Sequence, residues 1–459
     1  MKQKLFYKEE LYTVHFTGIR FCELNKSASA ELPYTEDKEF RKFITGRYLL
    51  GEIPNTTLTK GNGWNYILER ERIKIHQIKD KILPFESFNY DIRVHARSHI
   101  TTIDKDDKVR AVYGTPTTMI LTEVMLLWPI IASIQANPDR IIAWGYETFN
   151  GGLEELRQRV SPYNLHFTVD FETFDKRLPF WLFRDIQDVW KSLVKLGPYY
   201  EDDPNYPNPH TKPERINNLW EFMYFYTTSA IYRTPDGARY KRRHSGLPSG
   251  LFQTQLLGSC CNWIIIVSAI LALEIPETDF DVIVLGDDSS VNLKTDLDKN
   301  YILNFISQFA FQNFNAIINT EKCNTSVGTS NLRFLKYKFL DGAVCRENDD
   351  LLGKLVYPEK ANFSVETTKA RALGIMYANL GYNLSVHLVC ADMLQYLRDV
   401  KIKTSDLDWY DQQRIKDIDT DSNLIPSRHS LYTIALTPKD YKGDENFIKF
   451  IRKPAPSPS

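Results

Sequence analysis

The sequence predicts an α+β fold, and three patterns carry that prediction. Leu165 to Phe171 (LHFTVDF) alternates with the period of a strand and puts its apolar side chains on one face. Leu256 to Leu273 is a long apolar run that reads as a helix. Phe280 to Val291 reads as two strands meeting at a tight turn, where Gly286 lets the backbone bend. Further helices are predicted over Pro179 to Leu196 and Tyr301 to Phe314, and a further strand over Leu332 to Phe339. Strand, helix, helix, strand pair, helix and strand in that order describe a small, mostly antiparallel sheet flanked by helices. Beyond Asn362 the apolar spacing of Ala370 to Leu397 predicts a mainly helical segment.

Composition narrows the function classes. Hydrophobic residues make up 43% and charged residues 25% of 459, the balance of a globular chain with a large core rather than a disordered one. With 57 basic against 58 acidic residues, the chain lacks the basic excess of a protein that coats nucleic acid. A channel lined by Lys and Arg inside an acidic exterior escapes that rule. The aromatic fraction, 13%, suits either a Tyr-rich core or stacking platforms for bases. Six Cys at positions 22, 260, 261, 323, 345 and 390 show no CxxC spacing, so reduced thiols rather than a zinc site are expected. The start, MKQKLFYKEE, has no apolar signal core, which argues against secretion. Leu256 to Leu273 approaches the length of a membrane span. It carries Asn262 and Ser and Gly breaks, however, and a buried core helix is expected, with no membrane partner. Met125 to Ile134 is too short to span. The polar, Pro-rich 201–213 reads as a surface loop and the tail 454–459 as disordered.

The acidic residues are the chemical signal. The turn Gly286-Asp287-Asp288 sets two carboxylates side by side, an arrangement that repels itself unless water screens it or a cation sits between them. Alone it reads as a solvated hairpin tip. Asp170, however, ends the apolar strand His166 to Asp170, and Asp175 follows one turn later. Magnesium prefers hard oxygen ligands, usually one or two carboxylates plus substrate phosphates, and Asp170 with Asp287 could supply such a site.

Between these acids lies Ser245-Gly-Leu-Pro-Ser249-Gly250-Leu-Phe-Gln-Thr254, feeding the long helix. Its glycines allow a ligand to approach the backbone, and Ser249 and Thr254 offer hydroxyls at a helix start. Thr254, Gly258 and Asn262 recur every four residues and share a face, either a capped polar seam or a floor that feels a ribose 2′-OH. Two basic stretches, Arg93 to Arg110 and Lys241-Arg-Arg-His244, read as solvated charge runs in isolation and as phosphate contacts beside that loop.

Taken in order, Asp170-x-x-x-x-Asp175, Ser249-Gly250-x-x-x-Thr254 and Gly286-Asp287-Asp288 resemble motifs A, B and C of viral RNA-dependent RNA polymerases. Lys108-Val-Arg110 with Val112-Tyr-Gly114 is similar to motif F, Thr320-Glu-Lys322 to motif D, and Phe334-Leu-Lys-Tyr337 to the motif E strand. The wording KVRAVYG, SGLPSGLFQTQLLGS and GDDS resembles partitiviruses, which carry bisegmented double-stranded RNA genomes. The resemblance implies a right-hand fold. Residues 1–160 would form an N-terminal bridge and fingers, 161–190 and 241–345 the palm, 191–240 a fingers insertion and 346–453 the thumb.

It implies template-directed RNA synthesis with two magnesium ions, manganese being able to substitute. Asp170 and Asp287 would be the metal ligands, Asp288 an auxiliary one, and Lys322 a general acid for pyrophosphate. Lys108 and Arg110 would hold the triphosphate, while Asp175, Ser249, Gly250 and Thr254 would line the incoming nucleotide. Many positive-strand viral polymerases carry Asn four residues after the motif B Thr. Gly258 stands there instead, so Ser259 or Asn262 is expected at the ribose. RNA template, nascent RNA and ribonucleoside triphosphates follow as partners, the capsid protein is a candidate, and the virion interior or host cytoplasm is the setting. A silent RNA-binding scaffold gains nothing from carboxylates facing phosphates. A reverse transcriptase usually has a bulky residue where Asp175 stands.

Overall fold

The computed structural model describes residues 11–22, 24–99, 108–137, 139–146, 151–197, 210–340, 342–358, 364–402 and 425–437. Along the chain, helix α1 (Trp64–Lys79) precedes a hairpin of β1 (Ile92–His99) and β2 (Lys108–Gly114). Helix α2 (Thr117–Ala136) and α3 (Gly152–Val160) lead into β3 (Leu165–Thr168), followed by α4 (Phe180–Lys191) and α5 (Pro213–Ser229). Strands β4 (Ile231–Arg233) and β5 (Arg239–Lys241) precede α6 (Thr254–Ala272), β6 (Phe280–Leu285), β7 (Asp288–Leu293) and α7 (Lys299–Phe314). Strand β8 (Asn324–Val327) and a small sheet of β9 (Arg333–Phe334), β10 (Tyr337–Leu340) and β11 (Ala343–Cys345) come before α8 (Val365–Ala378), α9 (Leu384–Tyr396) and α10 (Arg428–Leu436).

The central sheet has the order β8-β3-β7-β6 and is antiparallel throughout. Strand β6 (FDVIVL) is apolar on both faces because both are covered. Phe280, Val282 and Val284 join the main core, while Ile283 packs with Leu156, Phe334 and Phe339 in a second one. Helix α6 lies behind β6 and beside α7. An ion pair locks the far side: Arg159 of α3 donates to both Asp281 oxygens at 2.7 and 2.9 Å, which ties α3 to β6. The second four-stranded sheet runs β2-β1-β4-β5.

Several expectations change in detail. The strand predicted over Leu165 to Phe171 breaks after Thr168, and Phe171–Glu172 pairs instead with Ile317–Ile318. Helix α4 stops at Lys191, short of Leu196, and Val194–Lys195 pairs in parallel with Leu11–Tyr12. Leu332 to Phe339 is a hairpin rather than one strand, since Leu335 and Lys336 turn the chain at φ +49° and +68°. Met125 to Ile134 is the middle of a 20-residue helix, long and apolar enough to cross a membrane. Both α2 and α6 pass that test, and both are largely enclosed by the protein as core helices. All six cysteines are free. The loop at 201–209 and the tail lie outside the described residues, and helix α5 already begins at Pro213.

Candidate active site

One end of the central sheet gathers the acidic residues. Strands β3 and β7 pair with Thr168 opposite Ser290, and just beyond that last pair Asp170 lies near enough for its charge to act on Asp288. Strands β6 and β7 close with Leu285 opposite Asp288, which leaves Gly286 and Asp287 as a two-residue turn. Gly286 has φ +65°, the left-handed value the first position of such a turn requires and that only glycine adopts freely. Asp170, Asp175, Asp287 and Asp288 are all exposed at this end.

The carboxylates act on one another. Crowding by protein atoms, then the charges of Asp287 and Asp170, push the Asp288 carboxyl up to about 6 although one edge meets solvent; Lys336 opposes the shift. Asp175 is also raised, first by the protein atoms crowded around its carboxyl although the residue as a whole is exposed, and then by Asp287, with Arg242 and Arg110 pulling the other way. Four acids thus share one field, which two arginines offset at Asp175 and Lys336 offsets at Asp288. Among the described residues no three His, Cys, Asp or Glu side chains converge into a ready cage for an ion. The donor set still fits magnesium, which takes one or two carboxylates and fills its shell with phosphate and water. Mutual repulsion among Asp170, Asp287 and Asp288 is what a divalent cation would relieve.

A turn from the neighbouring segment is laced to Asp170. Asn319 N–H donates to Asp170 O at 2.8 Å, and Asp170 N–H donates to Cys323 Sγ at 3.5 Å. Lys322 sits in this turn, exposed, with its N–H bonded to Asn319 O at 3.1 Å.

The loop before α6 is stitched to the Asp175 segment. Leu247 N–H donates to Asp175 O at 2.7 Å and Gly246 N–H to Leu178 O at 2.9 Å. Ser249 is exposed, and Thr254 donates its hydroxyl to Pro248 O at 2.7 Å, bracing the loop rather than leaving the hydroxyl free. Gly250 lies so close to β2 that a Cβ would fall 1.9 Å from Tyr113 O. Sequence reasoning missed the anchor beneath: Glu123 of α2, fully buried, accepts from Phe252 N at 2.9 Å and Gln253 N at 3.3 Å. Burial, against those two bonds, holds its carboxyl up at about 8.

The basic stretches become a sheet. In the β2-β1-β4-β5 register Arg97 stands opposite Arg110, and Arg93 opposite Arg233, which in turn stands opposite Arg239. Because paired residues point the same way, these arginines share one face. Glu36 and Asp91 neutralise one end: Arg93 and Arg233 meet Glu36 at 3.2 and 2.8 Å, and Arg239 meets Asp91 at 2.7 Å. Arg110 forms no ion pair among the described residues and is exposed. Only the backbone of Lys108 is described, in β2. On the opposite face Arg242 sits over the rings of Tyr113 and Tyr232, 5.6 and 4.7 Å from their centroids, and donates to Tyr113 OH at 3.1 Å. Only strand pairing reveals this alignment of distant arginines.

The two residues expected as alternatives at the ribose, Ser259 and Asn262, bond instead to the acidic turn in this structure. Ser259 and Asn262 are fully buried. Ser259 Oγ accepts from Gly286 N at 2.8 Å, and Asn262 donates to Gly286 O at 3.1 Å and Asp288 O at 3.2 Å. Both amide protons of Asn262 are therefore committed to the acidic turn, while its Oδ1 has no partner among the described residues.

Known proteins agree with this architecture. The RNA-directed RNA polymerase of White clover cryptic virus 1 is 29% identical over 328 residues, covering 69% of this chain and 53% of the relative. That of Atkinsonella hypoxylon virus is 27% identical over 433 residues, covering 83% of this chain and 64% of the relative. The chain thus spans between half and two thirds of these relatives' lengths. The crystal structure of a human picobirnavirus RNA-dependent RNA polymerase overlays with TM-score 0.50 at 15% identity, over 67% of this chain and 55% of that one. That likeness speaks for the fold, a right-hand α+β polymerase architecture. The family model described as viral RNA-dependent RNA polymerase matches residues 16–391. With most of its length covered by that match, the chain belongs to the viral RNA-dependent RNA polymerase family.

Proposed function

We propose that the chain copies an RNA template, transferring nucleotides from ribonucleoside triphosphates to an RNA 3′-OH. The observation that carries the reading is the meeting of Asp170, Asp287, Asp288 and Asp175 at one sheet end, with the charges of Arg110 and Arg242 reaching Asp175. Asp170 and Asp287 would hold two divalent cations, magnesium or manganese, with Asp288 as an auxiliary ligand. Bound there, such ions activate the attacking hydroxyl and neutralise the leaving pyrophosphate.

The chain's own groups orient the substrates. Arg110 and Lys108 meet the triphosphate from the β1–β2 hairpin, where Arg110 is exposed and forms no ion pair among the described residues. Asp175 and Ser249 face the incoming ribose, and Thr254 and Gly250 shape the loop that floors it. Lys322 supplies the proton to the pyrophosphate, from a turn hydrogen-bonded to Asp170. In the right-hand description, 161–190 and 241–345 are palm, 1–160 and 191–240 the N-terminal bridge and fingers, and 346–453 thumb. The setting is the virion interior or the host cytoplasm, with the capsid protein as a partner.

The test uses purified full chain, an RNA template, magnesium and either ribo- or deoxynucleotides, beside Asp287→Ala. Template-length RNA from the wild type and none from the variant is the expected result. Equal product from both would overturn the role of Asp287. Product only from deoxynucleotides would move the chain to DNA synthesis.

A further inference from the structure

The turn that carries Asp287 is short of backbone partners. Leu285 opposite Asp288 is the last cross-strand pair, so Gly286 has no partner across the hairpin for its N–H or C=O. Backbone groups in such a position must be met by side chains or water. Helix α6 meets them from behind. Ser259 and Asn262, one turn apart on α6, supply an acceptor to Gly286 N and donors to Gly286 O and Asp288 O. Those three bonds bracket Asp287 on both sides. Gly258, on the same face, lets the helix come close, since a Cβ there would lie 3.8 Å from Gly286 Cα and 3.8 Å from Phe174 Cε1. Ala would fit that space in ordinary contact, whereas a longer amide would press on the turn.

We propose that Ser259 and Asn262 are positioning residues that fix the orientation of the Asp287 turn, and that ribose recognition lies elsewhere. The inference rests on the polymerase reading for its kinetic part only. Both side chains are buried in a low-dielectric seam, where a hydrogen bond to backbone is directional and hard to exchange for water. Without them the turn can rotate about its two central residues, and the Asp287 carboxylate no longer points at a fixed place. A metal site depends on such supporting bonds to aim its ligands.

The experiment compares full-length wild type with Ser259→Ala, Asn262→Leu and the double variant. Ser259→Ala removes a single oxygen atom and keeps the core intact; Asn262→Leu keeps the volume and removes the donors. The proposal expects kcat to fall about tenfold for each single variant, the loss of roughly one hydrogen bond's worth of orientation. The half-saturating magnesium concentration should rise, while KM for ribonucleotides and the preference for ribose over deoxyribose stay within twofold. The double variant should lose less than the product of the two, because both side chains hold the same turn.

A second readout needs no activity. In hydrogen exchange, Ser259→Ala should expose the Gly286 amide about tenfold faster while the amides of Val282 and Val291 keep their protection. Unchanged Gly286 exchange in that variant would overturn the clamp. So would an intact kcat in Asn262→Leu with lost ribose preference, which would return Asn262 to the sugar. A wild type that makes no RNA yet shows the exchange effect would refute the polymerase reading and leave the clamp standing.

Discussion

Two sheets of this molecule carry opposite charge. The central sheet β8-β3-β7-β6 ends in Asp170, Asp287 and Asp288, while the sheet β2-β1-β4-β5 lines up Arg93, Arg97, Arg110, Arg233 and Arg239 on one face. A net charge of -1 over the whole chain conceals this division. The sheets differ in how they manage their charge. Glu36 and Asp91 neutralise one end of the basic face, leaving Arg110 without an ion pair among the described residues. Among the described residues the acidic end forms no ion pair, and only the charges of Lys336, Arg242, Arg110 and Lys176 offset it. Total charge therefore says little about a protein that sorts its two signs onto separate sheets. What matters is the register that sorts each sign onto one surface.

The loop before α6, stitched to the Asp175 segment, rests at Gly250 on Tyr113 of the basic sheet, and that contact is the place to break the comparison. Gly250→Ala sets a Cβ 1.9 Å from a backbone oxygen, so loop and strand must separate. Displacement of about an ångström at a reacting centre costs on the order of a hundredfold in rate. The expected outcome is a kcat lower by about that factor, with a melting temperature that falls only a few degrees; rate assays beside a thermal melt check it.

A smaller effect sharpens it. Arg110→Ala should raise KM for ribonucleotides roughly tenfold through the loss of a charge-assisted contact, with kcat changing less. Arg93→Ala, at the neutralised end, should leave KM within about twofold. Steady-state kinetics at fixed salt distinguish the pair, and equal effects from both would mean that the basic face works as a diffuse field.

The central elements were legible in the sequence because their signals are local. Period-two alternation, the Gly-Asp-Asp turn and the apolar run of α6 each lie within a few residues, and the structure places Asp170, Asp287 and Asp288 together. What was not legible depends on pairing across distance. Arg97 opposite Arg110 and Arg93 opposite Arg233 follow from strand register, which a single sequence does not display. The hairpin at Leu335 and Lys336 was read as one strand because neither residue is a usual turn former. The helical face of Asn262 is visible in the sequence, whereas its burial and its bonds to the acidic turn depend on how closely β6 approaches. Glu123 gave no signal at all: an acid inside TTMILTEVMLLW looks like a polar interruption until the α6 N-terminus is placed against it.

That buried acid supplies the most direct test of how the two halves are joined. Glu123 accepts two backbone N–H groups at the start of α6 and is enclosed by core, which holds its proton up to about pH 8, against an ordinary value of 4.5. Between those values the unfolded chain has released a proton that the folded chain retains. Folding stability from this group is thus complete below about pH 4.5 and is lost progressively as pH rises toward 8. The loss is on the order of a few kcal/mol at most, because the two N–H bonds favour the ionised form and offset part of the burial cost. Glu123→Gln cannot ionise and carries no such slope. Relative to the variant, the wild-type melting temperature should fall steadily from pH 5 to pH 8, and parallel curves for the two proteins would show that the acid is already ionised in the fold. In that case the two N–H groups, rather than the surrounding core, would set its charge, and the loop before α6 would be held by a buried anion throughout.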